Sequence, residues 1–292
     1  MISIAERDFF KENLKQIPFE IDCSLKKFSK YKTGGKGRIA VYPNTIQELL
    51  TTLELFRNCY PIFVIGGGSN LLISDKGFDG VIISTANLNK ITLKSNLLTC
   101  ECGAKISDLI KESTLNCLSG LEFLIGVPAT VGGAVAMNAG CFNKTIGDLV
   151  CYVVTDKGTY RGDECEFSYR HSRFLNGETI LKVCFSLTPT DYDFIEEKIK
   201  TYTGLRRNPK GRSCGSVFKN DGYFAGKVID EVGLKGYKIG GAKISESHAN
   251  FIITEEGATS TDVHKLITLI KEKVYDKKQI KLQEEIIYLG EF

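Results

Sequence analysis

The sequence predicts an α+β fold with more than one domain. The chain has 292 residues, a length near which a single hydrophobic core usually stops growing, roughly 250 to 300 residues. Short β-rich runs bounded by turn residues alternate with amphipathic helical segments along it. Apolar residues make up 42% of the chain and charged residues 25%, as in ordinary globular proteins. These observations favour two or three domains built from short strands and helices.

The first half begins with a helix and continues as short strands. A Thr45-x-x-Glu48 capping box opens a segment with apolar residues at helical spacing that runs to Arg57. Ser95 and Asn96 supply turn chemistry between two β-rich runs, which predicts a hairpin. The predicted strands of this half span residues 62–65, 81–84, 91–93 and 97–102.

The second half adds a hairpin, further strands and three helices. Residues 150–161 form the hairpin around Asp156-Lys157-Gly158, and residues 179–187 form a strand. The helices are expected at 191–206, at 224–232 with a stop at Gly233, and at 261–277, followed by a closing strand at 280–289. We therefore divide the chain into domains at 1–88, 89–190 and 191–292.

The charge pattern excludes several classes of partner. The formal net charge of +3 is spread along the chain, so no basic block indicates nucleic acid. Glu6, Arg7 and Asp8 interrupt the N-terminus where a signal peptide needs an apolar run, and no apolar stretch is long enough to span a membrane. We expect a cytoplasmic monomer that binds neither nucleic acid nor membrane.

Cysteine and histidine usage gives no sign of a metal site or a disulfide framework. The ten cysteines include no Cys-x-x-Cys pair, so we expect reduced thiols buried as small hydrophobic residues. Cys100 and Cys102 share one face of an alternating strand. The three histidines, His171, His248 and His264, lack metal-ligand spacing.

A glycine-rich stretch, GGGSNLL at 66–72, follows a β-rich run. Leu71 stands where a dinucleotide-binding fingerprint needs its third glycine, and extended chain follows instead of a helix, which excludes the Rossmann motif. The consecutive backbone N–H groups of 66–70 can still form an anion-binding nest. A set of tight turns is the alternative for this stretch alone.

A second glycine-rich stretch, GVPATVGGAVAMNAG at 126–140, combines Pro128 with small residues. Small side chains allow the backbone to approach a flat or extended ligand closely. Neither stretch shows the signature of a helix. Two such loops in one chain predict an elongated cofactor that carries phosphate.

Six motifs together resemble one family. They are GGGSNLL at 66–72, GVPATVGGAVAMNAG at 126–140, YRHSRF at 169–174, CGSVFKN at 214–220, AGKVIDEVGLKGYKIGGAKISESHANFI at 225–252 and EE at 284–285. Their order and content resemble bacterial UDP-N-acetylenolpyruvoylglucosamine reductase, also called UDP-N-acetylmuramate dehydrogenase. The short spacing between Arg170 and Ser216 resembles the second, shorter type of this enzyme.

The resemblance implies a fold, a cofactor and a reaction. The fold would be a two-part FAD-binding unit of the vanillyl-alcohol-oxidase type followed by a separate α+β substrate domain. FAD would be bound without a covalent link and reduced by NADPH, and it would then reduce UDP-N-acetylglucosamine enolpyruvate to UDP-N-acetylmuramate for peptidoglycan. The implied FAD-binding residues are Gly66, Gly67, Gly68, Ser69, Asn70, Leu71, Gly126, Pro128, Ala129, Thr130, Gly132, Gly133, Ala134, Ala139 and Gly140.

Three residues match the catalytic positions of the family. Arg170 offers a planar cation for a carboxylate or enolate, although a salt bridge at a domain boundary is the alternative. Ser216 follows Gly215, which permits a sharp turn, and the resemblance makes it the proton donor. Glu285 would pair with Arg170 around the enolpyruvyl group.

The expected substrate-binding residues have weaker support. Basic side chains near the serine suit a diphosphate, and an aromatic ring could stack on uracil, but a solvated surface or a core position explains each of them equally well. His248 is expected to order a loop beneath the site. The candidates are Arg206, Arg207, Lys219, Asn220 and Tyr223, with Lys235 as a weaker one.

The chain also departs from the family. The final motif usually reads Pro-Glu-Val-Arg, whereas this chain has Glu284-Glu285-Ile286-Ile287 and so lacks a substrate-anchoring cation. The missing arginine makes a non-catalytic nucleotide-sugar-binding or regulatory protein one alternative function. The other is a flavin oxidase or dehydrogenase of the same fold that acts on a different small substrate. Cys214, two residues before Ser216, raises the hypothesis that its oxidation blocks the site.

Overall fold

The computed structural model describes residues 2–175 and 177–292. The elements of its first part are α1 (Ile4–Asn13), β1 (Phe19–Ser24), β2 (Lys36–Val41), α2 (Ile46–Phe56), β3 (Ile62–Ile65), β4 (Leu71–Ile73) and β5 (Phe78–Ser84). They form a mixed sheet with the strand order β1-β2-β5-β3, in which β5 runs parallel to both β2 and β3. The β3 strand is entirely apolar and β5 buries the apolar run 81–83, as is usual for parallel strands covered on both faces.

The α2 helix begins as predicted, with half of the expected capping box. The Thr45 hydroxyl accepts a hydrogen bond from Glu48 N at 3.1 Å. The Glu48 carboxylate accepts from Asn44 N instead of from Thr45 N. Leu49, Leu53 and Phe56 of this helix are buried against the sheet, as the helical spacing of apolar residues requires.

The elements of the second part are β6 (Ile91–Lys94), β7 (Leu97–Glu101), α3 (Ile106–Leu115), β8 (Leu118–Ser119), α4 (Val131–Ala136), β9 (Gly140–Cys141), β10 (Lys144–Thr145), β11 (Val150–Thr155), β12 (Thr159–Tyr160), β13 (Ile180–Ser186), β14 (Thr188–Pro189) and α5 (Tyr192–Leu205). Its main sheet is antiparallel with the order β12-β11-β13-β7-β6. Both predicted hairpins are present, and Cys100 and Cys102 are both buried.

The elements of the third part are α6 (Ala225–Glu231), β15 (Lys238–Ile239), β16 (Ala242–Ile244), β17 (Ile252–Thr254), α7 (Ser260–Lys278) and β18 (Ile287–Leu289). This part has its own core, in which α7 covers a small antiparallel sheet of β15, β16 and β17. The α7 helix presents the predicted residues 263, 266, 267, 270 and 274 to this core.

The α5 helix packs with the second part of the molecule. Its Ile199 and Tyr202 lie against the core formed by the first two parts, whereas the residues of the third core beyond this helix begin at Cys214. We therefore propose that the final domain begins near residue 206, and not at the predicted 190.

The closing strand is shorter than predicted and pairs outside its own domain. Only Ile287–Leu289 form a strand, because their partner β4 is itself short, and the two strands run parallel with Ile287 opposite Leu71. Glu285 was predicted to lie on this strand, but it precedes it. The C-terminal segment is thereby attached to the first part of the molecule.

A carboxylate from the first part also caps the longest helix of the third. Asp75 accepts hydrogen bonds from Ser260 N at 2.9 Å and from Thr261 N at 2.7 Å. These are free N–H groups at the beginning of α7, which an acidic side chain can satisfy. The cap and the β4–β18 pair join the same two parts of the chain. Within the described residues, no helix has the length and apolar character needed to cross a membrane.

Candidate active site

A cleft of about 660 Å³ is lined by both glycine-rich stretches and by the three predicted catalytic side chains. The stretch 66–71 lines it completely. Of the predicted residues in the second stretch, only Gly132 is missing from the lining. Gly132 instead packs on Cys102, the residue just after β7, where its N–H donates to Cys102 O at 2.8 Å. Arg170, Ser216 and Glu285 all contribute to the wall.

The two stretches touch each other, and this contact requires glycine. A Cβ atom at Gly66 would lie 2.0 Å from Thr130 Oγ1, and one at Gly67 would lie 3.0 Å from Pro128 O. Gly68 has a φ of +60°, and a Cβ there would meet Phe28 O at 1.7 Å. Close approach of two backbones therefore explains the first glycine cluster.

The second stretch contains a helix that the sequence did not predict. Val131–Ala136 form the six-residue α4, although two of these residues are glycines, which are poor helix formers. Val131, Ala134 and Val135 are buried, so packing of small side chains outweighs the low propensity. The first stretch has no helix, as expected.

Arg170 and Glu285 form the ion pair that the resemblance implied. Arg170 Nε donates to Glu285 Oε1 at 2.7 Å, and Arg170 Nη1 donates to Gly140 O at 3.0 Å. The backbone of Arg170 lies in the left-handed region, with a φ of +54°, which is uncommon for a residue other than glycine. The surroundings thus fix the arginine in an unfavourable backbone conformation at this site.

Glu285 is positioned by neighbours from two parts of the chain. Its N–H donates to Val217 O at 2.8 Å, and its own carbonyl accepts from Asn70 Nδ2 at 2.9 Å. Asn70, predicted to bind the cofactor, thus also positions the acid. Burial raises the pKa of Glu285 above its ordinary value, and the charges of Arg170 and Lys219 offset part of this rise.

Ser216 lies at the turn that the sequence predicted. Gly215 has a φ of +80°, and the chain then pairs with Phe251 across an isolated bridge at Ser216. The buried side chain of Asn250 holds the next turn, because its Oδ1 accepts from Phe218 N at 2.9 Å and its Nδ2 donates to Phe218 O at 2.8 Å. The Ser216 hydroxyl forms no hydrogen bond with the described residues, so it is available to a ligand.

Ser216 also borders a second cleft, of about 310 Å³. The cleft places the lysines of α6 and of the turn after it near an exposed aromatic ring, Phe224, which is 73% exposed. Most residues of this cleft were not predicted from the sequence, although the polar face of the helix at 225–231 could have indicated them. The residues of this cleft that concern substrate binding are Ser216, Asn220, Phe224, Lys227, Lys235 and His248.

The structure brings only some of the predicted substrate-binding residues to these clefts. Arg206 lines the main cleft and Asn220 the second one. Arg207 is exposed and turns back to donate to Gly204 O at 2.8 Å. Lys219 lies outside both linings, although its charge acts on Glu285. Tyr223 packs on the third core, and its hydroxyl donates to Lys281 O at 3.3 Å, as expected for the core alternative.

Cys214 and His248 have surroundings that suit structural roles. Cys214 is buried, and burial raises the pKa of its thiol, which disfavours the reactive thiolate and hence the oxidation hypothesis. His248 Nδ1 accepts from Asn250 N at 3.3 Å, so the histidine orders the loop that holds the Ser216 turn.

Comparison with known proteins decides the family. Residues 207–289 match the model described as UDP-N-acetylenolpyruvoylglucosamine reductase, C-terminal domain, and residues 38–161 match an FAD binding domain. The enzyme of that name from Caldicellulosiruptor saccharolyticus is 40% identical, over 97% of this chain and 96% of its own length. The chain belongs to the UDP-N-acetylenolpyruvoylglucosamine reductase family.

Further comparisons agree with this membership. The reductase from Lactobacillus helveticus is 39% identical over 91% of this chain and 93% of its own. The crystal structure of the reductase from Thermus caldophilus is 31% identical, and the match covers 94% of this chain and 99% of that chain with a TM-score of 0.83. A variant of Phl p 4, a glucose oxidase, shares the fold alone. It is 16% identical, and the match covers 63% of this chain and 44% of that chain with a TM-score of 0.51. The predicted α+β fold, with its two-part FAD-binding unit and separate C-terminal domain, is confirmed, as is the class of FAD-dependent oxidoreductase.

Proposed function

We propose that the chain reduces the carbon–carbon double bond of UDP-N-acetylglucosamine enolpyruvate to give UDP-N-acetylmuramate, with NADPH as reductant and FAD as carrier. The observation that carries the proposal is that Arg170, Glu285 and Ser216 line the same glycine-rich cleft. They match the needs of this reduction, because the arginine suits a carboxylate and developing negative charge, its partner acid holds it in place, and the free hydroxyl is a proton source.

The cleft fits FAD on grounds of shape and chemistry. Gly66 and Gly67 line the cleft, and a Cβ at either one would press on Thr130 or Pro128 of the second stretch. Thr130 Oγ1 is buried beside them without a hydrogen-bond partner in the described structure, which is costly unless a ligand supplies one. The backbone N–H groups of 66–70 suit the pyrophosphate. When bound, FAD supplies two-electron hydride chemistry between NADPH and the substrate double bond.

The three side chains divide the remaining work. Arg170 is always charged and offers several donors to the substrate carboxylate. Glu285 accepts a hydrogen bond from Arg170 Nε at 2.7 Å, so it holds the arginine in place beside the substrate carboxylate. Ser216 gives its proton to one carbon of the double bond while the other carbon receives the hydride. The serine then regains a proton from water, so the reaction consumes one NADPH and one proton in total.

The second cleft suits the nucleotide end of the substrate. Lys227 and Lys235 provide positive charge for the diphosphate, and Phe224 offers an exposed ring to the base. Ser216 borders both clefts, so a substrate that extends from one to the other passes the proton donor. Ile287 lines the main cleft where the family usually has an arginine, so the anchoring charge comes from other residues here.

The test is NADPH oxidation by the purified protein with and without UDP-N-acetylglucosamine enolpyruvate. The proposal expects oxidation that depends on this substrate and a product that is heavier by two hydrogens in mass spectrometry. Tight binding of the UDP-sugar without turnover would favour a binding protein. Oxidation of alcohols with oxygen as acceptor would favour another flavin oxidase.

A further inference from the structure

The side chain of Arg206 is fixed in the main cleft. The residue caps the C-terminal end of α5. Its Nη2 donates to Phe123 O at 2.8 Å and to Cys141 Sγ at 3.2 Å, and its guanidinium lies 5.5 Å from the centre of the Phe142 ring. Three contacts thus hold one end of the guanidinium while the side chain remains part of the cleft wall.

This cation lacks a counter-charge in the protein. Within residues 2–175 and 177–292, Arg206 forms no ion pair with an acidic side chain, and its Nε is buried without a hydrogen-bond partner. Arg170, which lines the same cleft, is paired with Glu285. An arginine stays charged under all physiological conditions, and a desolvated charge without a partner is costly. The missing anion is therefore expected from a ligand.

The position of Arg206 along the cleft narrows the choice of anion. Arg170 bonds to Gly140 O and Arg206 to Cys141 Sγ, so both arginines are attached to the two-residue strand β9. Arg206 therefore lies near the catalytic pair. Gly126, with a φ of +76°, passes close to Arg206, since a Cβ there would lie 3.1 Å from its Cδ. The anion-binding nest of residues 66–70 instead lies against Pro128 and Thr130 of the second glycine-rich stretch.

Reduction of a flavin places negative charge on its pyrimidine ring, and charged groups near this ring tune the reactivity of the cofactor. We infer that Arg206 stabilises the reduced form of FAD through the positive charge that its guanidinium places in the cleft near this ring. This inference rests on the proposed function, and it gives Arg206 a role toward the cofactor instead of the substrate-diphosphate role expected from the sequence. The arginine then favours electron transfer from NADPH into the cofactor.

The experiment compares the midpoint potential of bound FAD in Arg206→Met with that of the parent protein, by equilibration with redox dyes. Arg206→Met is expected to bind reduced FAD at least about tenfold less tightly relative to oxidised FAD, which lowers the potential by about 30 mV. Arg206→Lys, which keeps the charge, is expected to retain most of the potential. Arg207→Met is the matched control, because Arg207 is exposed and outside the cleft.

Two outcomes overturn the inference. An unchanged potential with a higher KM for the UDP-sugar would make Arg206 a substrate anchor. An unchanged potential with equal loss of affinity for oxidised and reduced FAD would assign it to the pyrophosphate. If Arg206→Met folds poorly, Arg206→Gln keeps a donor for Phe123 O without the charge and carries the same test. The potential is measured without NADPH or substrate, so its result is independent of the substrate assignment.

Discussion

Arg170 Nε lies 2.7 Å from Glu285 Oε1, and this hydrogen bond joins the FAD-binding unit to the C-terminal segment. The two side chains are 20% and 13% exposed, so each depends on the other for compensation of its charge. The removal of one partner from a buried pair costs more than the pair itself contributes.

The free energy of unfolding of Arg170→Met, compared with that of the parent protein, is expected to fall more at high pH than at low pH. Burial already raises the pKa of Glu285, and loss of the arginine that lowers it raises this pKa further. When the pKa of a carboxyl is higher in the folded than in the unfolded state, the free energy of unfolding of the protein falls as the pH rises through the folded-state pKa. We expect an additional loss of about 1 to 3 kcal/mol between about pH 4 and neutrality, measured by urea denaturation.

The control for this prediction is Arg170→Met combined with Glu285→Gln. The neutral amide removes the titrating group, so the additional loss at neutral pH should disappear. An equal destabilisation of Arg170→Met at both pH values would show that Glu285 does not depend on the arginine for its charge.

Ser216→Ala is expected to separate the two halves of the reaction. Reduction of bound FAD by NADPH should be unchanged, because no proton is transferred to carbon in that step. Reoxidation by the enolpyruvyl substrate should slow by roughly 10²- to 10⁴-fold, the usual contribution of a general acid, in anaerobic stopped-flow measurements. Ser216→Cys retains a weak donor, so its rate of reoxidation should lie between those of the parent protein and Ser216→Ala. Equal rates of reoxidation in the parent and Ser216→Ala would remove the serine from the mechanism.

Gly66→Ala is expected to weaken FAD binding. The new Cβ would lie 2.0 Å from Thr130 Oγ1, and overpacking of this kind costs about 1 to 3 kcal/mol, or about five- to a hundredfold in affinity. Fluorescence titration of the apoprotein with FAD measures this affinity. Gly204→Ala is the matched control, because nothing lies within 4 Å of a Cβ at this position in α5. Wild-type affinity in Gly66→Ala would contradict the assignment of the loop.

Asp75→Ala is expected to lower stability through the third part of the molecule. The substitution removes the acceptor for Ser260 N and Thr261 N at the beginning of α7. Loss of such a cap costs about 1 kcal/mol, which differential scanning calorimetry would detect as a fall in Tm of roughly 2 to 4 °C. Asp276→Ala, on the exposed side of the same helix, should leave Tm nearly unchanged. Similar values for both variants would show that the cap contributes little.

Local patterns in the sequence predicted those elements whose packing follows simple periodicity. The α7 helix and the hairpins are examples, since their apolar spacing and turn residues agree with the structure. The α4 helix was missed because close packing of small residues outweighs the low helix propensity of two glycines. The α3 helix was missed because it buries Ser113 and Thr114 beside its apolar residues. The closing strand was predicted too long because its pairing partner, β4, is short.

The candidate site could be predicted only in part from residue types. Gly215 and the glycine loops indicated sharp turns and close backbone approach by themselves. The pairing of Arg170 with Glu285 joins residues far apart in the chain, so only the resemblance to the family indicated it. The role of Asn250 in holding the Ser216 turn depends on a tertiary contact that no local pattern encodes.

The most direct test of the proposed reaction is the visible spectrum of the FAD-loaded protein, recorded anaerobically before and after NADPH and again after UDP-N-acetylglucosamine enolpyruvate. We expect flavin absorbance to bleach with NADPH and to return with the enolpyruvyl substrate. A protein that bleaches but is not reoxidised by this substrate would contradict the proposed reaction while leaving the FAD-binding fold in place.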